Sequence, residues 1–152
     1  MNSILERLRK LRRLTWAERL CLGQAWALLW TLDVALLVAP FRSVLNFLQQ
    51  VPPSAIRLPL SAATDVPRLA WLVECAAIAG PASGPCLRQS LALLYMLRRR
   101  GQEGHLRIGV AREAGCLKAH AWLVQHGRII LGSRTHGRFE PLFTQPDGAS
   151  VS

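Results

Sequence analysis

Apolar residues recur at helical spacing through the first half of the chain. Ile4, Leu5, Leu8 and Leu11 are separated by basic residues and predict a short amphipathic helix with a basic face. Thr15-Trp16-Ala17-Glu18 fits a capping box, in which Thr15 accepts from a first-turn amide and Glu18 reaches back. A second, longer helix therefore starts there. It carries the apolar run from Leu20 to Ala39, interrupted by Gln24 and Asp33, and ends near Pro40. Trp16, Trp26 and Trp30 on this helix are expected to pack in the core, since aromatic area drives burial. Pro52, Pro53 and Pro59 break the pattern and predict a linker from about Gln50 to Ala63. Asp65-Val66-Pro67 opens a further helix to about Ala79, with Asp65 as its cap. A Gly/Pro-rich loop from Gly80 to Pro85 leads into a helix from Cys86 to Arg100. Gly101 stops it.

Beyond Gly101 the period changes from helical to two. His105 to Val110 alternates, as does Lys118 to Val124, and His126-Gly127 predicts a tight turn into Arg128 to Leu131. A last strand around Phe139 to Phe143 contains Pro141, which suits an edge. Helices first and a small antiparallel sheet afterwards make an α+β chain. The expected division is a helical N-terminal region over residues 1–50, a linker over 51–64, a core over 65–143 and a flexible tail over 144–152.

Composition narrows the class. The 152 residues are 51% apolar, which excludes global disorder. Nineteen Lys plus Arg against nine Asp plus Glu give a formal charge of +10, and all but two of the cations are arginine. Such a balance points to an acidic partner, a peptide, another protein, nucleic acid or an anionic membrane surface, without choosing among them. Four scattered cysteines (Cys21, Cys75, Cys86, Cys116) form no CxxC pair, so free thiols in a reducing cytoplasm are expected. The run from Leu20 to Ala39 just reaches the length of a membrane span. Asp33 would cost about 2.5–3.5 kcal/mol near the centre of such a span. A helix buried in the protein, or lying against a membrane or partner, is the preferred reading.

The chemistry concentrates on two residues. A free thiol is mostly protonated at neutral pH. The first turn of a helix, with its unpaired amides and positive dipole end, favours the thiolate a nucleophile needs. Cys86 has that setting, after Gly84-Pro85. His120 lies in an apolar strand pattern downstream and could act as its base. Counting back from the His126-Gly127 turn, the residue opposite His120 is Ser133, with Gly132 beside it. Neither is a carboxylate, and the nearest downstream acids are Glu140 and Asp147. His105, His126 and His136 read as turn, loop or exposed positions. Arg98 to Arg100 read as a solvated helix end.

Cys86-Leu87-Arg88-Gln89-Ser90-Leu91-Ala92-Leu93, Leu97-Arg98-Arg99-Arg100-Gly101, Ile108-Gly109-Val110, Ala119-His120-Ala121-Trp122 and Arg138-Phe139-Glu140-Pro141-Leu142 together resemble the lasso peptide biosynthesis B proteins. These are transglutaminase-like leader peptidases, and the likeness covers about Pro85 to Phe143. It implies a papain/transglutaminase-like core with the nucleophile at a helix start, packed on the sheet. Cys86 would be the nucleophile and His120 the base. The aspartate of that family would fall at Gly132 or Ser133 and is missing, which leaves Ser133, Glu140 or a backbone carbonyl to orient His120, or a less active chain; Ser133 stands as the candidate third member. The implied partners are a precursor peptide, a separate leader-recognition protein and an ATP-dependent lasso cyclase. The basic N-terminal helices, read from their own residues, are expected to dock the cyclase, the leader-recognition protein or an anionic membrane. The sequence shows no second half-site of metal-ligand spacing and no P-loop or dinucleotide fingerprint, so no metal and no cofactor are expected, and no nucleic acid is expected as the partner. An acyltransferase using the same thioester, and a non-catalytic basic adaptor, are the alternatives.

Overall fold

The computed structural model describes residues 14–53, 65–78, 80, 85–113, 116–132 and 140–144. Within them the chain forms four helices and then four strands: α1 (Trp16–Val38), α2 (Phe41–Gln50), α3 (Val66–Ile78), α4 (Pro85–Arg99), β1 (His105–Glu113), β2 (Cys116–Gln125), β3 (Arg128–Leu131) and β4 (Glu140–Thr144). The fold is α+β, as expected. The helix expected around Ile4 to Leu11, most of the linker and the tail beyond Thr144 lie outside the described residues.

Local chemistry sets the helix ends. The Thr15 hydroxyl accepts from the Glu18 amide at 3.3 Å, and the Glu18 carboxylate accepts from the Thr15 amide at 2.9 Å. The box thus satisfies two donors that would otherwise be orphaned. Asp65 caps α3, its Oδ1 accepting from the Arg68 amide at 3.2 Å. At the end of α4 the Gln102 amide donates to Leu97 O and the Gly101 amide to Arg98 O, both at 2.9 Å. This is a Schellman closure, with Gly101 at φ 69 in the left-handed region that glycine tolerates. α2 falls inside the helical region expected over residues 1–50, although the sequence pattern predicts no separate helix after Pro40. Its buried residues Val44, Leu45 and Leu48 keep helical spacing and face the core.

The sheet is antiparallel in the order β3-β2-β1-β4. His126 and Gly127 both have positive φ (47 and 73), as a primed two-residue hairpin turn requires. β4 pairs with β1 on the far side from β2, so Pro141 does sit in an edge strand. α4 runs under this sheet, chiefly along β2, with α1 and α3 against it on its other sides. One apolar core results, containing Leu29 and Leu32 of α1, Leu69 and Leu72 of α3, Leu91, Leu94 and Leu97 of α4, and Leu106, Ala121, Leu123 and Leu131 of the sheet.

Polar groups tie α1 to α4 at two levels. Arg88 Nη2 meets Asp33 Oδ1 at 2.9 Å, and Arg100 Nη2 donates to Cys21 Sγ at 3.4 Å. The two helices therefore run antiparallel. Arg98 Nη1 adds a bond to Gln49 O of α2 at 3.0 Å. The arginines closing α4 are thus half-buried fasteners between helices and not the solvated end the sequence suggested.

The tryptophans of α1 overturn an expectation. The residues α1 buries are Cys21, Ala25, Leu29 and Leu32. Trp16 is 71% exposed, Trp26 46% and Trp30 43%. The inner face is the one whose small and medium side chains let α1 approach its neighbours closely. The indoles are consigned to the other face, where Trp26 and Trp30 meet edge-on at 6.2 Å.

Candidate active site

Pro85 opens α4 and Cys86 follows it in the first turn. Proline suits the first helical position because its φ is preset and its missing N–H would have had no partner. Cys86 is half-buried and packs against the apolar core. Two residues on, Arg88 is buried and held by Asp33, which fixes the start of α4 against α1.

His120 stands in the middle of β2, opposite Gly109 of β1. Before it the strand is exposed; from Ala121 to Val124 it is buried. The imidazole thus sits half-buried at the rim of the covered region. Its ring stacks on Trp122 at 6.1 Å with an interplanar angle of 21°. Strand alternation groups His120 with Trp122 and Val124, while Ala121 and Leu123 belong to the core shared with α4.

One partner of the ring is a backbone group. His120 Nε2 lies 3.2 Å from the carbonyl oxygen of Gly132. A carbonyl only accepts, so this bond requires Nε2 to carry the proton, and Nδ1 of the neutral ring then holds the lone pair. Gly132 is suited to this place in two ways. Its φ of 84 is unfavourable for other residues. A Cβ would also come within 2.9 Å of Trp122 Cβ and 3.2 Å of His120 Nε2. No aspartate side chain fits at 132 on this backbone.

A bulge explains why counting from the turn misleads. Gln125 faces Arg128 and Val124 faces Ile129, but Leu123 faces Leu131 because the register shifts by one. Ser133, the candidate third member, lies outside the described residues. Glu140 is aligned with Val110 of β1, and Val110 with Ala119 of β2. It is therefore two strands away from the β2 backbone, about 10 Å at ordinary strand spacing. Of the alternatives the sequence left open, the backbone carbonyl is the one seen against the ring.

The structure brings together His120, Trp122 and Gly132; Cys86 lies on α4, which packs against the Ala121 and Leu123 side of the same strand, so the pairing of Cys86 with His120 rests on the sequence reading. Sequence reasoning passed over the Asp33–Arg88 pair. The signal was available: an acid in an apolar run and an arginine on the apolar face of α4, each needing an opposite charge. Among the described residues no group of three His, Cys, Asp or Glu is arranged to hold a metal.

A transglutaminase-like superfamily model matches residues 28–144, well over half of the chain. The chain belongs to the transglutaminase-like superfamily. The matched region begins inside α1 and ends with β4, so it includes the helices as well as the sheet. Cysteine-dependent peptidases and acyltransferases are characteristic of this superfamily, which gives the kind of chemistry the fold supports. No curated protein and no solved structure matches the chain significantly.

Proposed function

We propose that this transglutaminase-like protein is a thiol-dependent peptidase that removes the leader from a ribosomally made lasso peptide precursor. One observation carries the reading: a first-turn cysteine lies on a helix packed along the strand of a histidine whose outer nitrogen is anchored by a carbonyl. The motifs resembling lasso peptide biosynthesis B proteins supply the substrate class.

Cys86 sulfur attacks the scissile carbonyl carbon while His120 Nδ1 takes the thiol proton. The tetrahedral intermediate collapses, the amide C–N bond breaks, and His120 returns the proton to the departing amine. Water then hydrolyses the leader thioester, with His120 again as base. The released α-amine is what an ATP-dependent partner cyclase joins to a side-chain carboxyl. A separate leader-recognition protein would present the precursor. Gly132 O orients the ring as an orienting acid would, but carries no full charge to balance the imidazolium, so slower turnover than in a full triad is expected.

The test is mass spectrometry of a co-expressed precursor. Wild type should release leader and core, and Cys86→Ala should leave the precursor whole. Processing at the wild-type rate in Cys86→Ala rejects both enzymatic readings and favours an adaptor. An amide-linked product with an added primary amine would identify an acyltransferase. Alkylation of Cys86 by iodoacetamide should slow at neutral pH in His120→Ala; an unchanged pH–rate profile would break the pair.

A further inference from the structure

We infer that the outer face of α1 docks the protein onto an anionic lipid surface, with the helix lying in the plane of the interface. A helix that is apolar all round belongs in a core or in lipid. Only one side of α1 is in the core. On the other, Trp16, Leu20, Trp26, Trp30, Val34 and Leu37 form a lengthwise stripe with exposures of 43–80%. A bare apolar stripe of this extent marks a contact surface.

Three observations select lipid as the occupant. From Leu20 to Val38 the only charged residue is Asp33, and its charge is turned to Arg88 on the inner side. A protein partner ordinarily meets a polar rim, whereas this stripe is uncharged for most of its length. The indoles of Trp16, Trp26 and Trp30 suit the boundary between acyl chains and headgroups. Residues 1–13, directly before α1, carry five cations (Arg7, Arg9, Lys10, Arg12, Arg13) against one acid, Glu6, in a chain of formal charge +10. Such segments are drawn to anionic headgroups.

α1 is also the one helix among the described residues long and apolar enough to cross a membrane. Spanning would strip Cys21, Ala25, Leu29 and Leu32 from the core and leave Arg88 without Asp33. Lying flat keeps all of these contacts and covers only what the protein leaves bare. The peptidase reading plays no part in this inference.

The test is flotation of the full chain with phosphatidylcholine vesicles, with and without phosphatidylglycerol. Binding is expected to the anionic vesicles, to weaken as salt rises, and to shift tryptophan emission to the blue. Trp26→Ser/Trp30→Ser should bind at least about tenfold more weakly, given the apolar area removed. Leu37→Ser/Val38→Ser provides a second variant, because side chains 80% exposed contribute little to folding. Unchanged circular dichroism and melting temperature in that variant would confirm an intact fold. Cys86→Ala should bind as wild type does. No flotation with anionic vesicles, undiminished binding in both variants, or binding only when a partner protein is added would overturn the proposal. Retention through alkaline carbonate extraction would replace docking with spanning.

Discussion

α1 and α4 are antiparallel neighbours, and the more uniformly apolar of the two is the less covered. α4 is enclosed: Leu91, Ala92, Leu93, Leu94, Met96 and Leu97 are all buried, under β2 on one side and among the other helices on the rest. α1 fully buries four residues in the same core, packs others only partly against it, and leaves its remaining apolar side outside. Hydropathy of a segment therefore does not rank its burial. What decides is how many elements can reach it. α4 lies centrally, whereas α1 is the outermost layer, with nothing of the described chain beyond it.

The contrast breaks first if truncation costs the two helices alike. Leu94→Ala in α4 should destabilise by about 3 kcal/mol, because a fully buried leucine leaves a cavity. Leu37→Ala on the bare face of α1 should stay within about 0.5 kcal/mol. Urea denaturation of both variants decides the matter, and equal losses would mean that α1 has a cover in the isolated protein.

The junction between the helices comes next. Arg88→Met leaves Asp33 partly buried without its cation, and should cost about 2–3 kcal/mol. Asp33→Leu alone should do similar harm by stranding the more deeply buried Arg88. The double variant should regain most of the loss, since an apolar pair of similar volume needs no counter-charge. Additive losses in a double-mutant cycle would show that the two charges act separately. Peptidase activity in the double variant reports whether the start of α4 needs this pair to hold Cys86 in place.

α4 contains a polar flaw that sharpens the comparison in the other direction. Ser90 Oγ is fully buried and has no hydrogen-bond partner among the described residues. Ser90→Ala should then be neutral or stabilising by up to about 1 kcal/mol, as removing an unsatisfied group usually is. A clear loss of stability would reveal a partner for the hydroxyl.

Much of this layout was legible in the sequence, and the failures share a cause. The capping box at Thr15, the Asp65 cap, the Gly101 stop and the His126-Gly127 turn are local chemistry, set by residues a few positions apart. Each stands as read. Which face of α1 goes inward depends on what packs against it, so area alone misassigned the tryptophans. The register of β3 opposite His120 was hidden by a bulge, which shifts it by one and which no residue of β3 announces, so the sequence left the ring's partner open among several groups. Cys86 and His120 were found as residue types in suggestive settings. Their service to catalysis is a matter for the enzyme assay.

The smallest effect concerns the fringe where α1 meets α3. Arg68 Nε lies 2.6 Å from Glu18 Oε1, and the Arg68 guanidinium also stacks over Trp71 at 4.2 Å. The hydrogen bond from Arg68, and next the Thr15 amide, hold the Glu18 carboxyl below its ordinary range despite some desolvation. A carboxyl depressed on folding binds its proton less readily in the native state than in the unfolded chain. Its contribution is therefore present in full above the ordinary glutamate pKa and is lost as pH falls through the lower native value. Glu18→Gln should thus lower stability by about 0.5–1 kcal/mol at neutral pH, largely through the capping box and the part-buried ion pair. The gap between variant and wild type should shrink below about pH 4. Thermal melts across that range check it. A gap that stays constant into acid would assign the effect to glutamine's fit in the cap, leaving Arg68 no electrostatic part in fastening the outermost helix.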